Sequence, residues 1–242
     1  MTPPEKGRFS QQAINKIAEV AIASQLKQVE KLKVQIDTDL NKLARGKIDS
    51  INININGLLM QPYLILEELQ LKINSVTVKP RSAILGKIKL VHPSTGTIYF
   101  VFNQHDLTRT FNSESFLANL HQIGETIPIN VQQVKCDLLA DGKISLRSEL
   151  ILNNTEQAEI TFTTVPRISN DGREISLQYL HYLEGEALAP ELTAALLLQV
   201  SELLSLRMFE RKGMSLRIQQ VDVTAGKLIL QADTYIEEFP TV

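Results

Sequence analysis

Residues 47–56 read KIDSINININ, and from Ile51 to Asn56 isoleucine and asparagine alternate without a break. Successive side chains on a strand point to opposite faces, so Ile51, Ile53 and Ile55 define an apolar face and Asn52, Asn54 and Asn56 a polar one. A parallel strand buried on both sides would read as a continuous apolar run. One dry and one wet face specify antiparallel pairing. The same rhythm runs outward in both directions. Upstream it occupies 33–40 (KVQIDTDL). Downstream it recurs in 69–78, 84–90, 96–102, 127–139, 144–152, 159–168, 174–182, 206–209, 214–223 and 227–236. Asp141-Gly142, residues 170–172 and Ala225-Gly226 supply turns between these runs. About ten strands result, enough for one extensive curved antiparallel sheet.

Helical spacing replaces period two in four places. Phe9, Ala13, Ile17 and Ala21, with Ile14, Ala18, Ile22 and Val29 beside them, form an apolar stripe. It predicts a helix over about 11–31, with Ser10 as N-cap. Residues 104–110 (QHDLTRT) and 113–121 (SESFLANLH) read as short helices, the second capped by Ser113. Residues 190–204 (PELTAALLLQVSELL) open on a first-turn proline and carry Leu192, Ala195, Leu196, Val200, Leu203 and Leu204 on one side. Leu197 and Leu198 widen that arc beyond a single packing face, so this helix is expected to be enclosed or to face an apolar space. No Pro/Ser linker interrupts the chain. The expected organisation is a flexible lead over 1–10 and one domain over 11–242.

Composition excludes several classes of function. The chain has 242 residues, Lys and Arg (25) nearly balance Asp and Glu (27), and the formal charge is -2, which argues against a globally basic nucleic-acid binder. Aromatics are 5% and tryptophan is absent, so the apolar surfaces are mainly aliphatic and suit strands or alkyl chains better than stacked bases. A single cysteine, Cys136, excludes an intramolecular disulfide and fits a reducing compartment. The four histidines have no metal-ligand spacing, and no phosphate loop, GxGxxG, GxSxG or HExxH motif occurs. His105-Asp106 is the best local acid/base pair, yet no nucleophile supports it and Asp106 reads equally as a helix-start residue. No catalytic residue, metal or cofactor is assigned. No signal peptide or spanning run is visible, so the expected location is cytoplasmic, with peripheral contact at a membrane left open.

Two segments carry open alternatives. Residues 57–66 (GLLMQPYLIL) are either a connection crossing the core or an exposed tip whose Leu58, Leu59, Met60 and Tyr63 enter a headgroup zone. Arg207, Arg211, Lys212 and Arg217 are either a solvated hairpin face or a basic rim that meets anionic lipid headgroups or RNA phosphates.

The helix over 11–31, the alternating runs and the segment GREISLQYLHYLEGEALAPELTAALLLQVSELLSLRMFERKGMSLRIQQVDVTAGKLILQADTYIEEFP together resemble the bacterial LmeA-like phospholipid-binding family, in the form seen in cyanobacterial members. RGKIDSININI, ILEELQLKINSVTV and VFNQHDLTRTFNSESF carry the same likeness, which covers about residues 14–236 and contains no short catalytic motif. The resemblance implies a relative of the tubular lipid-binding proteins: an α+β fold with a long, strongly curved antiparallel sheet wrapped around the N-terminal helix and the helix over 190–204. It implies a ligand site made of many aliphatic side chains, with no residue role transferable singly. Many bacterial relatives carry an export signal or anchor, which is not seen here.

The expected function is therefore non-catalytic binding, and transfer as a further step, of a phospholipid or other amphiphile in an elongated aliphatic groove. The expected walls are Ile17 and Ala21 on the first helix, Ile53, Leu71, Ile73, Phe100 and Leu216 on strands, and Leu196 and Val200 on the later helix. Amphiphile is the expected partner, a transient membrane surface is a second, no nucleic acid is expected, and a protein partner is undefined. The competing reading is a structural or protein-interaction module with a closed core.

Overall fold

The computed structural model describes residues 6–24, 26–61, 64–79, 90–121, 129–153, 155–185, 190–205 and 213–237. Its elements run in the order α1 (Lys6–Ala23), β1 (Lys31–Asp37), α2 (Leu40–Ala44), β2 (Lys47–Gln61), β3 (Leu64–Thr77) and β4 (Ser94–Asn103), then α3 (Gln104–Phe111) and α4 (Glu114–His121). β5 (Ile129–Leu138), β6 (Ile144–Leu152), β7 (Glu156–Ile168) and β8 (Ile175–Glu184) follow, then α5 (Pro190–Leu204), β9 (Met214–Thr224) and β10 (Lys227–Ile236). The runs expected over 84–90 and 206–209 fall wholly or almost wholly outside the described residues.

One long sheet wrapped around two helices does not form. The strands make two separate antiparallel sheets, neither closed on itself: six strands in the order β1-β2-β3-β4-β10-β9 and four in the order β5-β6-β7-β8. The C-terminal hairpin returns to pair β10 with β4, so the place beside β4 is taken. β5 cannot extend the large sheet along its free edge either, because α3 occupies that edge. Cys136 N–H donates to Thr108 Oγ1 at 3.0 Å, Val134 N–H to Asn112 Oδ1 at 2.9 Å and Leu138 N–H to Gln104 Oε1 at 3.3 Å. An exposed edge invites further pairing, and these side chains satisfy it. The helices are therefore not wrapped by a tube: α1 lies against β1, and α5 lies against β8 and α4.

Cross-strand rows explain the core. Leu32, Ile55, Leu69, Phe100, Leu230 and Val221 are register partners across the six strands, and Val34, Ile53, Leu71, Ile98, Ala232 and Ile218 form the next row. These inward faces, with α3, α4, α5 and the inner face of the small sheet, build one contiguous core containing Phe100, Phe102, Phe111 and Phe162, none more than 1% exposed. A smaller cluster around Ile73, Val76, Val78 and Ile236 lies at the other end of the large sheet. Along β4 the inward residues are Ser94, Gly96, Ile98, Phe100 and Phe102. Ile98, Phe100 and Phe102 are large and fill the main core, whereas Ser94 and Gly96 at the other end are small. At Gly96 a Cβ would stand 2.3 Å from the Lys72 carbonyl oxygen, so only glycine fits there.

Candidate functional site

Helix α1 is joined to the large sheet by polar side chains spaced four apart. Gln11 Nε2 donates to the Ile36 carbonyl, Ile36 N–H donates to Asn15 Oδ1 at 3.0 Å, and Val34 N–H donates to Glu19 Oε1 at 3.2 Å. Four helical residues rise about 6 Å, and two strand residues advance nearly as far, about 6.5 Å, so such a ladder can follow a strand edge. Glu19 also pairs with Lys16 at 3.2 Å. The bond from the Val34 backbone, reinforced by Lys16, holds the Glu19 carboxyl below the usual carboxylate range.

This attachment places the neighbouring stripe of α1 over the second cluster, and the space between is not filled. An apolar cavity of about 370 Å³ remains there. Its roof is Ala18, Ala21 and Ile22, its walls include Val34, Ile36, Ile51 and Ile53 from β1 and β2, and Leu71, Ile73, Met214 and Ile236 close the remainder. Every lining side chain is Ala, Val, Ile, Leu or Met. At 100° per residue the peg residues and the roof residues fall on adjacent sides of the helix, so the ladder sets which side looks inward.

Four of the nine expected wall residues, Ala21, Ile53, Leu71 and Ile73, meet at this cavity. Ile17 instead points to solvent, 69% exposed. Phe100, Leu196, Val200 and Leu216 are buried in the main core and do not line this cavity; Leu216 borders a polar hollow beside β9 instead. The broad arc of α5 is explained by enclosure: Leu192, Leu196, Val200 and Leu204 enter the core, Leu197 packs at its margin and Leu198 is exposed. Ala18, Ile36, Ile51, Met214 and Ile236 were not anticipated as walls, although the alternation that marks Ile53 also marks Ile51.

Residues 57–66 are largely strand. β2 runs to Gln61 and β3 begins at Leu64, with Leu58, Leu64 and Leu66 in the main core and Leu59 and Met60 half-buried. Leu58, 3% exposed, is not available to a bilayer. Tyr63 lies outside the described residues, as do Arg207, Arg211 and Lys212. Arg217 is exposed and, with Arg173, Asp171 and Asp233, lines a polar hollow of about 770 Å³ beside the β9 edge. Although larger, that hollow is lined mainly by polar and charged residues.

Acid/base chemistry finds no support at the expected pair. Asp106 lies at the start of α3, bonded to Asn103 and 3.4 Å from Arg109, while His105 is exposed and meets Arg109 Nη2 at 3.1 Å. Cys136 is buried, and desolvation pushes its thiol up to about 12, so it is a poor nucleophile. Among the described residues no group of three or more His, Cys, Asp or Glu could hold a metal ion, and no helix is long and apolar enough to cross a membrane.

The geometry is therefore two open antiparallel sheets with an aliphatic cavity under one helix. The chain matches the family model described as LmeA-like phospholipid-binding over residues 6–233, and it belongs to that family. The family is a non-catalytic, lipid-binding one, and the protein is not an enzyme. No curated protein and no solved structure matches the chain.

Proposed function

We propose that the protein binds a phospholipid by taking one acyl chain into the cavity beneath α1. The observation that carries this reading is the lining, wholly aliphatic across α1, β1, β2 and β3 and the ends of β9 and β10. The volume, about 370 Å³, lies near the small end of the range for ligand pockets. If a methylene occupies about the ~30 Å³ of a liquid water, roughly a dozen methylenes fit. At about 0.8 kcal/mol each, their burial offers on the order of 10 kcal/mol before ordering costs, enough for micromolar binding with no catalytic group. The second chain and the headgroup stay outside, so the bound molecule straddles the cavity mouth. That posture also suits transfer, since one chain rather than a whole lipid must leave the membrane.

Organic extraction of the purified protein followed by lipid mass spectrometry, with uptake of a fluorescent fatty acid in solution, tests the proposal. The wild-type chain should bring lipid through purification and enhance the probe's emission. Ala18→Phe, which grows from the helix into the cavity, should lower uptake about tenfold while leaving the melting temperature unchanged or raised. Empty extracts together with unchanged uptake in Ala18→Phe would reject the site.

A further inference from the structure

The apolar arc of α1 is wider than the sheet beneath it. Ala18, Ala21 and Ile22 cover the cavity, yet Ile17 and Val20, on the next sector of the same helix, are 69% and 61% exposed. Ala13 is exposed in the same sector. Ile17, Val20 and Ala13 thus form an exposed apolar strip on a helix already used on two other sides. The surrounding charge indicates what the strip meets. Residues 6–33 hold six Lys and Arg against two Asp and Glu, a local charge of +4 in a chain whose total is -2. Lys16, Lys27, Lys31 and Lys33 are all exposed. Of the two acidic residues, Glu19 pairs with Lys16 and Glu30 is exposed, so the excess is carried mainly by Lys27, Lys31 and Lys33 among the described side chains.

Among the described residues a second exposed apolar patch, Tyr179, Leu180 and Leu183 on the edge strand β8, has mixed surroundings: residues 174–184 contain Glu174 and Glu184 and no Lys or Arg, while the Arg167 guanidinium lies 5.4 Å from the Tyr179 ring. The excess of basic residues is on the α1 side, where an anionic surface is attracted.

We infer that α1 docks on an anionic lipid bilayer, inserting Ile17 and Val20 at headgroup depth while Lys27, Lys31 and Lys33 meet the lipid phosphates. Apolar insertion and basic residues together are the two signals that interfacial helices need for reversible attachment. Docking by this face sets the cavity roof against the membrane, so an acyl chain can pass between them without crossing bulk water. The docking surface stands independently of acyl-chain binding, and the two are measured separately.

The experiment is co-sedimentation of the full chain with vesicles of phosphatidylcholine alone and of phosphatidylcholine with about one-third phosphatidylglycerol. Wild type should bind the anionic vesicles at least about tenfold more strongly, and the preference should shrink as salt rises. Ile17→Glu combined with Val20→Glu should reduce binding about tenfold or more. The same double variant should still take up monomeric fluorescent fatty acid in vesicle-free solution. If uptake fails in wild type while vesicle binding persists, the cavity proposal falls and the docking surface stands. A Val20→Cys variant labelled with a polarity-sensitive dye should shift to the blue on adding anionic vesicles, the buried Cys136 remaining unlabelled. Any one of three results overturns the inference: equal binding by wild type and the double variant, no dye shift, or light scattering showing a dimer that the double variant dissolves while vesicles are ignored.

Discussion

Helices α1 and α3 solve the same problem and reach different ends. Each lays a ladder of polar side chains four residues apart along the free edge of a strand: Gln11, Asn15 and Glu19 on β1, and Gln104, Thr108 and Asn112 on β5. Each thereby closes an edge that would otherwise pair with another chain. The α3 ladder is the more complete. Thr108 bonds both the N–H and the carbonyl of Cys136, and Asn112 bonds both those of Val134. Beneath α3 lie Leu107 and Phe111, fully packed in the main core; beneath α1 lies the cavity. Edge capping positions a helix without requiring its apolar face to be filled, which is how a hollow persists in an otherwise close-packed protein.

The largest contrast should appear in core truncation. Phe111→Ala removes a ring with no exposure and should cost about 3–5 kcal/mol, since the surroundings cannot collapse. Ile22→Ala, which enlarges a space already present, should cost less than about 1.5 kcal/mol. Urea unfolding with comparable slopes would measure both. Equal costs would mean that the region under α1 is packed in solution, and the contrast between the helices would vanish.

Asn112→Ala and Asn15→Ala probe the ladders themselves. The first leaves both polar groups of Val134 without their side-chain partner and should cost about 2–3 kcal/mol. The second releases only the Ile36 N–H at a more open edge, where water can replace it, and should cost about 1 kcal/mol or less. A cost at Asn15 as large as that at Asn112 would show α1 to be as firmly seated as α3.

Much of the strand content was legible from alternation alone, because the period-two signal depends only on one face being dry. KIDSINININ lies in β2, next to the edge strand of the six-stranded sheet, and Ile53 and Ile55 enter its apolar rows as the pattern demands. Which strands would share a sheet was not legible. Alternation gives each strand a face but names no partner, and the return of β10 to β4 is a long-range choice. The ladders left a trace, polar residues at positions 11, 15 and 19 and again at 104, 108 and 112, but spacing of this kind also describes a solvated helix face. The small buried residues Ser94 and Gly96 on β4 mark where the main core ends, but neither lines the cavity. Nothing in the local pattern distinguishes Leu196, sealed in the core, from Ile53, which borders the cavity: both are aliphatic residues on a dry face.

The smallest effect separates the two ladders by pH. Glu19 is the one ionisable side chain among the six, and its folded carboxyl titrates below the usual carboxylate range because the Val34 N–H and Lys16 favour the charged form. A carboxyl depressed in the folded state contributes stability that is fully present above its unfolded value and is lost as pH falls through the folded one. Acidification through that window should therefore weaken the α1 attachment at Val34 while leaving the amide-based bonds at Ile36 and Val134 without a titrating partner of their own. Amide hydrogen exchange, corrected for intrinsic rates, should show protection falling at Val34 N–H relative to Ile36 and Val134. Glu19→Gln should remove that pH dependence but retain much of the protection at Val34, because the carboxamide oxygen still accepts. A parallel fall at all three amides would instead mean that acid loosens the fold as a whole and that the Glu19 peg has no separate role.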